Sequence, residues 1–302
     1  MTNYGLDKLT SSEKKSIAFF SNLRWNGKIT CPRCGNDLLN NQKSRRYWCK
    51  NCRYNFRVLT GTYLAKLKIK LHLVMYLLNK FVSGIPAYRI RPHKKYGKCD
   101  ISTMERTYRL FRQTIYDSSL EDIQNLKLSG EIEVDEELFD NHHKVQIFEW
   151  SSIKQQNLVF GIYYKNEKIV TFPITKRKYE ELVRQVPFIK NDRDIGSLYY
   201  YDEQPVYAIL NMKKKCQLVR GNDYEKGIPI TTIPQKNFKV LIRIEEFWHE
   251  VKNWLYHYKG VPKKYFPLYL KEIEFRFNNR FKNNIFYELS KLLVKSYPTC
   301  RF

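Results

Sequence analysis

The chain has 302 residues, 43% hydrophobic and 15% aromatic, with 54 Lys and Arg against 30 Asp and Glu for a formal charge of +24. That length and apolar content exclude a disordered basic tail and allow one or two domains with a buried core. The charge points to a polyanionic partner, nucleic acid first among them, with codon bias in an AT-rich genome as the plain alternative. With no apolar run of about 18 residues and a polar stretch over 1–15, the expectation is a soluble intracellular protein with no membrane partner.

Four of the seven cysteines fall in two tight pairs, Cys31-Pro-Arg-Cys34-Gly and Cys49-Lys-Asn-Cys52, while Cys99, Cys216 and Cys300 are scattered. This is the spacing of a metal site, not of a secreted disulfide framework. Two CxxC pairs separated by fourteen residues supply four thiolates to one tetrahedral Zn²⁺. Residues 1–62 therefore read as a zinc ribbon with an N-terminal helix, closing in a strand near 54–58. Such an ion is structural and stabilises the module whether or not the module touches DNA. Lys50 and Arg53, with Arg57, are the candidate DNA contacts beside the cysteines.

Over 70–82 apolar residues recur at helical spacing, and Gly84 supplies a stop. Residues 100–118 carry a capping-box pattern, Ser102 with Glu105, and a stripe at Ile101, Met104, Tyr108, Phe111 and Ile115. Arg106, Arg109 and Arg112 fall largely off that stripe. With a short helix at 85–90, residues 63–125 read as a helix-turn-helix-like segment whose last helix presents these arginines to DNA. A helical linker with a solvated basic face is the alternative.

After residue 129 the period changes to alternation, with strands at 131–139, 158–164, 168–174 and 197–201 and a helix at 178–186. A turn at Asn166-Glu167 makes the second and third strands a hairpin. The fold class is α/β: a mixed sheet with helices in the ribonuclease-H-like order over 126–285, followed by a C-terminal tail over 286–302.

Alternation along 131–139 sends Glu133, Asp135 and Glu137 to one face of the first strand. Such a cluster is tolerable at a solvated strand end or around a divalent cation, whose charge offsets the repulsion. Asp202 follows the run Leu198-Tyr-Tyr-Tyr201 at the carboxyl end of a strand, where α/β sheets place functional groups. Glu245 opens a helix with the stripe Ile244, Phe247, Trp248, Val251, Leu255 and Tyr258, and Lys252 lies two turns on, on an adjoining face with His249. Brought together, Asp135, Asp202 and Glu245 can hold two Mg²⁺ ions about 4 Å apart, with Lys252 on a phosphate. Taken singly, Glu245 and Lys252 read as an ordinary exposed helical pair.

The chain as a whole resembles the zinc-ribbon insertion-sequence transposases related to Merlin elements, insertion-sequence family 1595. The likeness runs through CPRCG, CKNC, Phe56-Arg-Val-Leu-Thr-Gly-Thr62, Gly130-Glu-Ile-Glu-Val-Asp-Glu136, Val159-Phe-Gly-Ile162 and Tyr201-Asp202 with Tyr207. It continues through Ile244-Glu-Glu-Phe-Trp248 with Lys252, Phe266-Pro-Leu-Tyr-Leu-Lys-Glu272 and Phe275-Arg-Phe-Asn-Asn-Arg280. The resemblance implies a ribonuclease-H-like core that uses Mg²⁺ or Mn²⁺ to cut and join element ends, with Asp135, Asp202, Glu245 and Lys252 at the family's catalytic positions. It further implies double-stranded DNA as partner (transposon ends and target) and a homodimer or higher homo-oligomer in a synaptic complex. Residence is then on the nucleoid of a bacterial cytoplasm, or in the nucleus of a eukaryotic host. Glu203, Val240 and Ile242 depart from the residues usual at those places, which motivates an alternative: a catalytically decayed, transposase-derived DNA-binding protein.

Overall fold

The computed structural model describes residues 12–42, 46–91, 96, 99–124, 130–139, 157–164, 168–174, 195–200, 217–220, 242–258, 261–282 and 284–296. Two compact units divide the chain: Met1–Ile115 together with Lys282–Phe302, and Tyr116–Phe281.

Among the described residues the first unit begins with helix α1 (Glu13–Trp25), whose N-cap Ser12 accepts the Lys15 amide and whose C-cap Asn26 is left-handed. A three-stranded antiparallel sheet follows, β1 (Leu39–Gln42), β2 (Arg46–Cys49) and β3 (Asn55–Arg57) in that order. So small a sheet cannot support itself on burial alone. Its core is Cys31, Cys49 and Phe56 with Trp25, Tyr47 and Tyr54 packed around them. Arg24 ties α1 to the segment beyond β3, donating to the carbonyls of Val58 and Thr60.

Helix α2 (Leu71–Val82) has no cap of its own at Lys70. Its first amides, Leu71 and His72, donate instead to the two carboxylate oxygens of Glu13, both at 3.1 Å. At the other end Gly84 takes a left-handed φ of 74° and the Ile85 amide reaches back to the Lys80 carbonyl, closing the helix as the glycine foretold. The short helix expected at 85–90 is only a 3-10 turn over Ala87–Arg89, with the backbone extended at Pro86 and again at Ile90; Pro86 also disfavours helical backbone at Ile85 before it. Helix α3 runs Ile101–Gln124, six residues beyond the expected 118. Its start differs from the capping-box expectation: Asp100, not Ser102, accepts from the Thr103 amide and from the Ser102 hydroxyl. Those two bonds hold the Asp100 carboxyl down at about 2.

The expected C-terminal tail contains helix α6 (Ile285–Val294), N-capped by Asn284. It packs on α1, on α2 and on the 3-10 turn Tyr63–Lys66, and Thr62 bridges to Ser296. The first unit is thus built from both ends of the chain.

The second unit carries β4 (Gly130–Phe139), β5 (Asn157–Tyr164), β6 (Lys168–Ile174), β7 (Ile195–Tyr200) and β8 (Gln217–Arg220). They form one sheet in the order β6-β5-β4-β7-β8, antiparallel from β4 through β6 and parallel from β4 through β8. The first four strands match those expected; β8 has no counterpart in the sequence reading, and the expected helix at 178–186 lies outside the described residues. Helices α4 (Ile242–Tyr256) and α5 (Phe266–Asn278) cover one face. Phe139, Val159, Tyr163 and Ile169 of the sheet meet Ile244, Phe247, Trp248, Val251, Leu270 and Ile273 there.

Strand β6 stands at the end of the sheet, so its outward amides and carbonyls need partners. Helix α5 provides them from side chains. Asn278 accepts from the Ile169 amide and donates to its carbonyl, at 2.7 and 2.8 Å. Glu274 accepts from the Thr171 amide and hydroxyl, while Lys271 donates to the Thr171 carbonyl and to Glu274. Both charges of that ion pair are buried, which the surrounding hydrogen bonds make tolerable. The α5 residues quoted for the family likeness therefore include Lys271 and Asn278, two of the three that seal a sheet edge.

Candidate functional site

The four paired cysteines converge. Their sulfurs all lie within 4.8 Å of one another, with Cys31 Sγ 3.6 Å from Cys52 Sγ and Cys34 Sγ 3.5 Å from Cys49 Sγ. A tetrahedral zinc with bonds of about 2.3 Å keeps its sulfurs about 3.8 Å apart, so this donor set fits Zn²⁺. The two halves repeat one geometry. Cys31 N–H donates to the Asn36 carbonyl and Cys49 N–H to that of Tyr54, each five residues on. The residue after each second cysteine is left-handed, Gly35 at φ 72° and Arg53 at φ 56°. Lys50 and Arg53 are exposed beside this centre.

On α3, Arg106 and Arg109 are exposed as expected. Arg112 corrects the sequence reading: it is 5% exposed, with its guanidinium 5.5 Å from the Phe81 ring centroid and 5.8 Å from that of Tyr108. A long stem that packs against the apolar stripe, with a planar cation that stacks on rings, draws it inward.

The acidic face of β4 is the second centre. Glu133, Asp135 and Glu137 share a face as alternation predicts, and α4 runs along it. Glu133 Oε2 accepts from the Ile244 amide at 3.2 Å, Asp135 Oδ2 from Trp248 Nε1 at 2.9 Å, and Glu137 Oε2 pairs with Lys252 Nζ at 2.6 Å. Two strand residues advance about 6.6 Å and four helix residues about 6 Å, so positions 133, 135, 137 stay in step with 244, 248, 252. The contact along the helix is also graded from dry to wet. Glu133 is 1% exposed, whereas the Lys252 side chain is 54% exposed.

Burial pushes the Glu133 carboxyl up to about 8; the Ile244 amide and Arg243 pull it down, and Glu245 and Glu246 push it further up. Among the described residues its Oε1 has no hydrogen-bond partner. Glu245 itself is exposed, one residue along from Ile244 and close enough for its charge to be felt at Glu133. Asp202 lies outside the described residues. Among the described residues the four cysteines are the one group of three or more ligating side chains gathered closely enough to hold an ion.

Three participants escaped the sequence reading. Trp248 counted only as an apolar stripe residue, although its indole N–H faces a carboxylate. Glu133 was one of three like residues with nothing to single out the buried one. Gly161 lies opposite Asp135 in the β4–β5 register, and a Cβ there would come within 2.6 Å of Trp248 Cζ2. The one signal was periodicity, acids at every second strand position facing every fourth position of the helix.

Residues 127–278, half of the chain, match the ISXO2-like transposase domain, and residues 11–55 match a transposase zinc-ribbon domain. An uncharacterized transposase-like protein of Haemophilus influenzae is 43% identical over 111 residues, which is 36% of this chain and 82% of the relative. No solved structure matches the chain. Among the described residues no helix is long and apolar enough to cross a membrane.

Proposed function

From the premise that the chain belongs to the ISXO2-like transposase domain family, we propose that it is a DNA transposase. In this reading it binds the terminal repeats of its element and catalyses metal-dependent strand cleavage and strand transfer. The observation that carries the reading is the packing of α4 along the acidic face of β4, which brings the helix turn bearing Glu245 alongside the strand bearing Asp135. The sheet order, three antiparallel strands continued by two parallel ones, supports a ribonuclease-H-like core.

Asp135, Asp202 and Glu245 are the proposed ligands of Mg²⁺ or Mn²⁺. Carboxylate oxygens suit such hard cations, and Glu133 Oε1, buried with no hydrogen-bond partner among the described residues, fits a site that takes positive charge. When bound, the metal activates the attacking water or 3′-hydroxyl and stabilises the leaving oxygen. Lys252, half-exposed at the wet end of the helix contact, exchanges Glu137 for a DNA phosphate. Arg106, Arg109, Lys50 and Arg53 hold the duplex through phosphates, consistent with the charge of +24. Arg112 instead packs the helix that carries the first two. Zinc stabilises the ribbon. Joining two element ends requires two copies of the site, hence a homodimer or larger assembly, acting on the nucleoid of a bacterial host or in the nucleus of a eukaryotic one.

The test is cleavage and strand joining on a labelled duplex carrying the flanking terminal repeat, with Mg²⁺ or Mn²⁺, comparing wild type with Asp135→Asn. Metal-dependent products that vanish in the variant are expected. Products that persist in Asp135→Asn remove that residue from the site, and duplex binding without any product identifies a decayed descendant.

A further inference from the structure

Asp135 is held by an unusual neighbour for a strand carboxylate. Trp248 Nε1 donates to its Oδ2 at 2.9 Å, and the indole is 2% exposed. Phe139 and Phe247 pack against that ring with centroids at 5.8 and 5.1 Å. Beneath it lies Gly161, where a Cβ would come within 2.6 Å of Cζ2 and 2.8 Å of Cη2. The ring is therefore confined on several sides, and the direction of its N–H is fixed by packing. One turn earlier the Ile244 amide holds Glu133, and one turn later Lys252 holds Glu137. The indole sits in the middle of a helix already registered on the strand at both ends.

An indole N–H is a donor only. It satisfies one carboxylate oxygen of Asp135 without competing for a cation and without bringing a full charge that would repel one. A neutral donor on a rigid ring sets the plane of the carboxylate, which a lysine or arginine could do only by neutralising it. We infer that Trp248, seated on Gly161, is a positioning residue for Asp135, holding its carboxylate in the orientation that binds the divalent cation. The inference rests on the reading of Asp135 as a metal ligand under Proposed function.

A purely structural role would change the melting temperature and leave metal affinity alone, so the test measures both. Mn²⁺ binding to the full chain is followed by the paramagnetic resonance of free Mn²⁺, alongside the melting temperature and cleavage at saturating DNA, for wild type, Trp248→Phe, Gly161→Ala and Asp135→Asn. Trp248→Phe removes the N–H and keeps an aromatic ring; Gly161→Ala keeps the indole and displaces it. Both variants are expected to weaken Mn²⁺ binding about tenfold, the scale of one charge-assisted hydrogen bond. The Mn²⁺ concentration for half-maximal cleavage should rise with it, at unchanged DNA affinity. Wild-type Mn²⁺ affinity in folded Trp248→Phe overturns the inference, and Gly161→Ala decides in the same way if Trp248→Phe does not fold. If Asp135→Asn binds Mn²⁺ as wild type does, the metal-ligand reading fails and the inference fails with it. Binding lost in Asp135→Asn but kept in the other two overturns the inference alone.

Discussion

Arg53 occupies a backbone position that its side chain does not suit. The two zinc knuckles repeat one geometry, and where the first has Gly35 at φ 72° the second has Arg53 at φ 56°. A residue with a Cβ pays about 1–2 kcal/mol in that conformation. Arg53→Gly should therefore raise the stability of the zinc-loaded protein by about 1 kcal/mol, read as a higher denaturant midpoint for the ribbon. The same substitution removes a proposed phosphate contact, so DNA affinity should fall while stability rises; a midpoint that drops would show that the Arg53 side chain stabilises the knuckle by more than its backbone costs. At this scale the sequence was legible where chemistry constrains spacing. Four cysteines in two CxxC pairs can serve little else than a metal, and strict alternation puts Glu133, Asp135 and Glu137 on one face. It was illegible where a side chain has two characters. Arg112 reads as a cation, yet its stem and planar head pack on Phe81 and Tyr108, and Trp248 reads as apolar, yet its N–H meets Asp135.

Helix α2 shows how an element borrows what its own sequence lacks. No residue at its start caps it, and Glu13, at the head of α1, accepts the Leu71 and His72 amides and lies 2.9 Å from His72 Nδ1. Burial raises the Glu13 carboxyl, but the Leu71 amide and the ring and amide of His72 together hold it below its ordinary value. A carboxylate with a depressed folded pKa contributes stability above its unfolded pKa and loses it as pH falls through the folded one. Glu13→Gln should cost about 1 kcal/mol at neutral pH, and the gap to wild type should close as the pH falls below the ordinary glutamate range. Chemical denaturation of both proteins across that range checks it; a constant gap would mean the capping bonds do not depend on the ionised form. Single-sequence periodicity cannot find such a cap, since the partners are far apart in the chain. For a related reason β1, β2 and β8 went unseen: strands of four residues are too short to show alternation. The amphipathic α4 was legible because four turns repeat its apolar stripe.

The largest departure from a left-to-right reading of domains is that the last helix belongs with the first. Residues 286–302 read as a tail, but α6 buries Phe286, Leu289, Leu293 and Val294 against α1, α2 and the turn Tyr63–Lys66, and the Phe19 and Phe286 rings meet at a tilt with centroids 6.1 Å apart. The tail reading passed over the helical spacing of these apolar residues, and that spacing alone does not say what the face meets, because its partners lie more than 200 residues upstream. Each buried side chain of this size stabilises by about 1.5–3 kcal/mol. Four of them together reach the whole net stability of an ordinary domain, about 5–15 kcal/mol. A chain ending at Phe281 should therefore lose the first unit as a cooperative structure while keeping the second, whose sheet core and α5 edge seal lie within Tyr116–Phe281. Amide hydrogen exchange separates the two. Protection in α1 and α2 should disappear, and the β5 and β6 amides should stay protected. Retained protection in α1 and α2 would make α6 a covering for a unit that folds without it; loss in both units would mean that the second depends on the first.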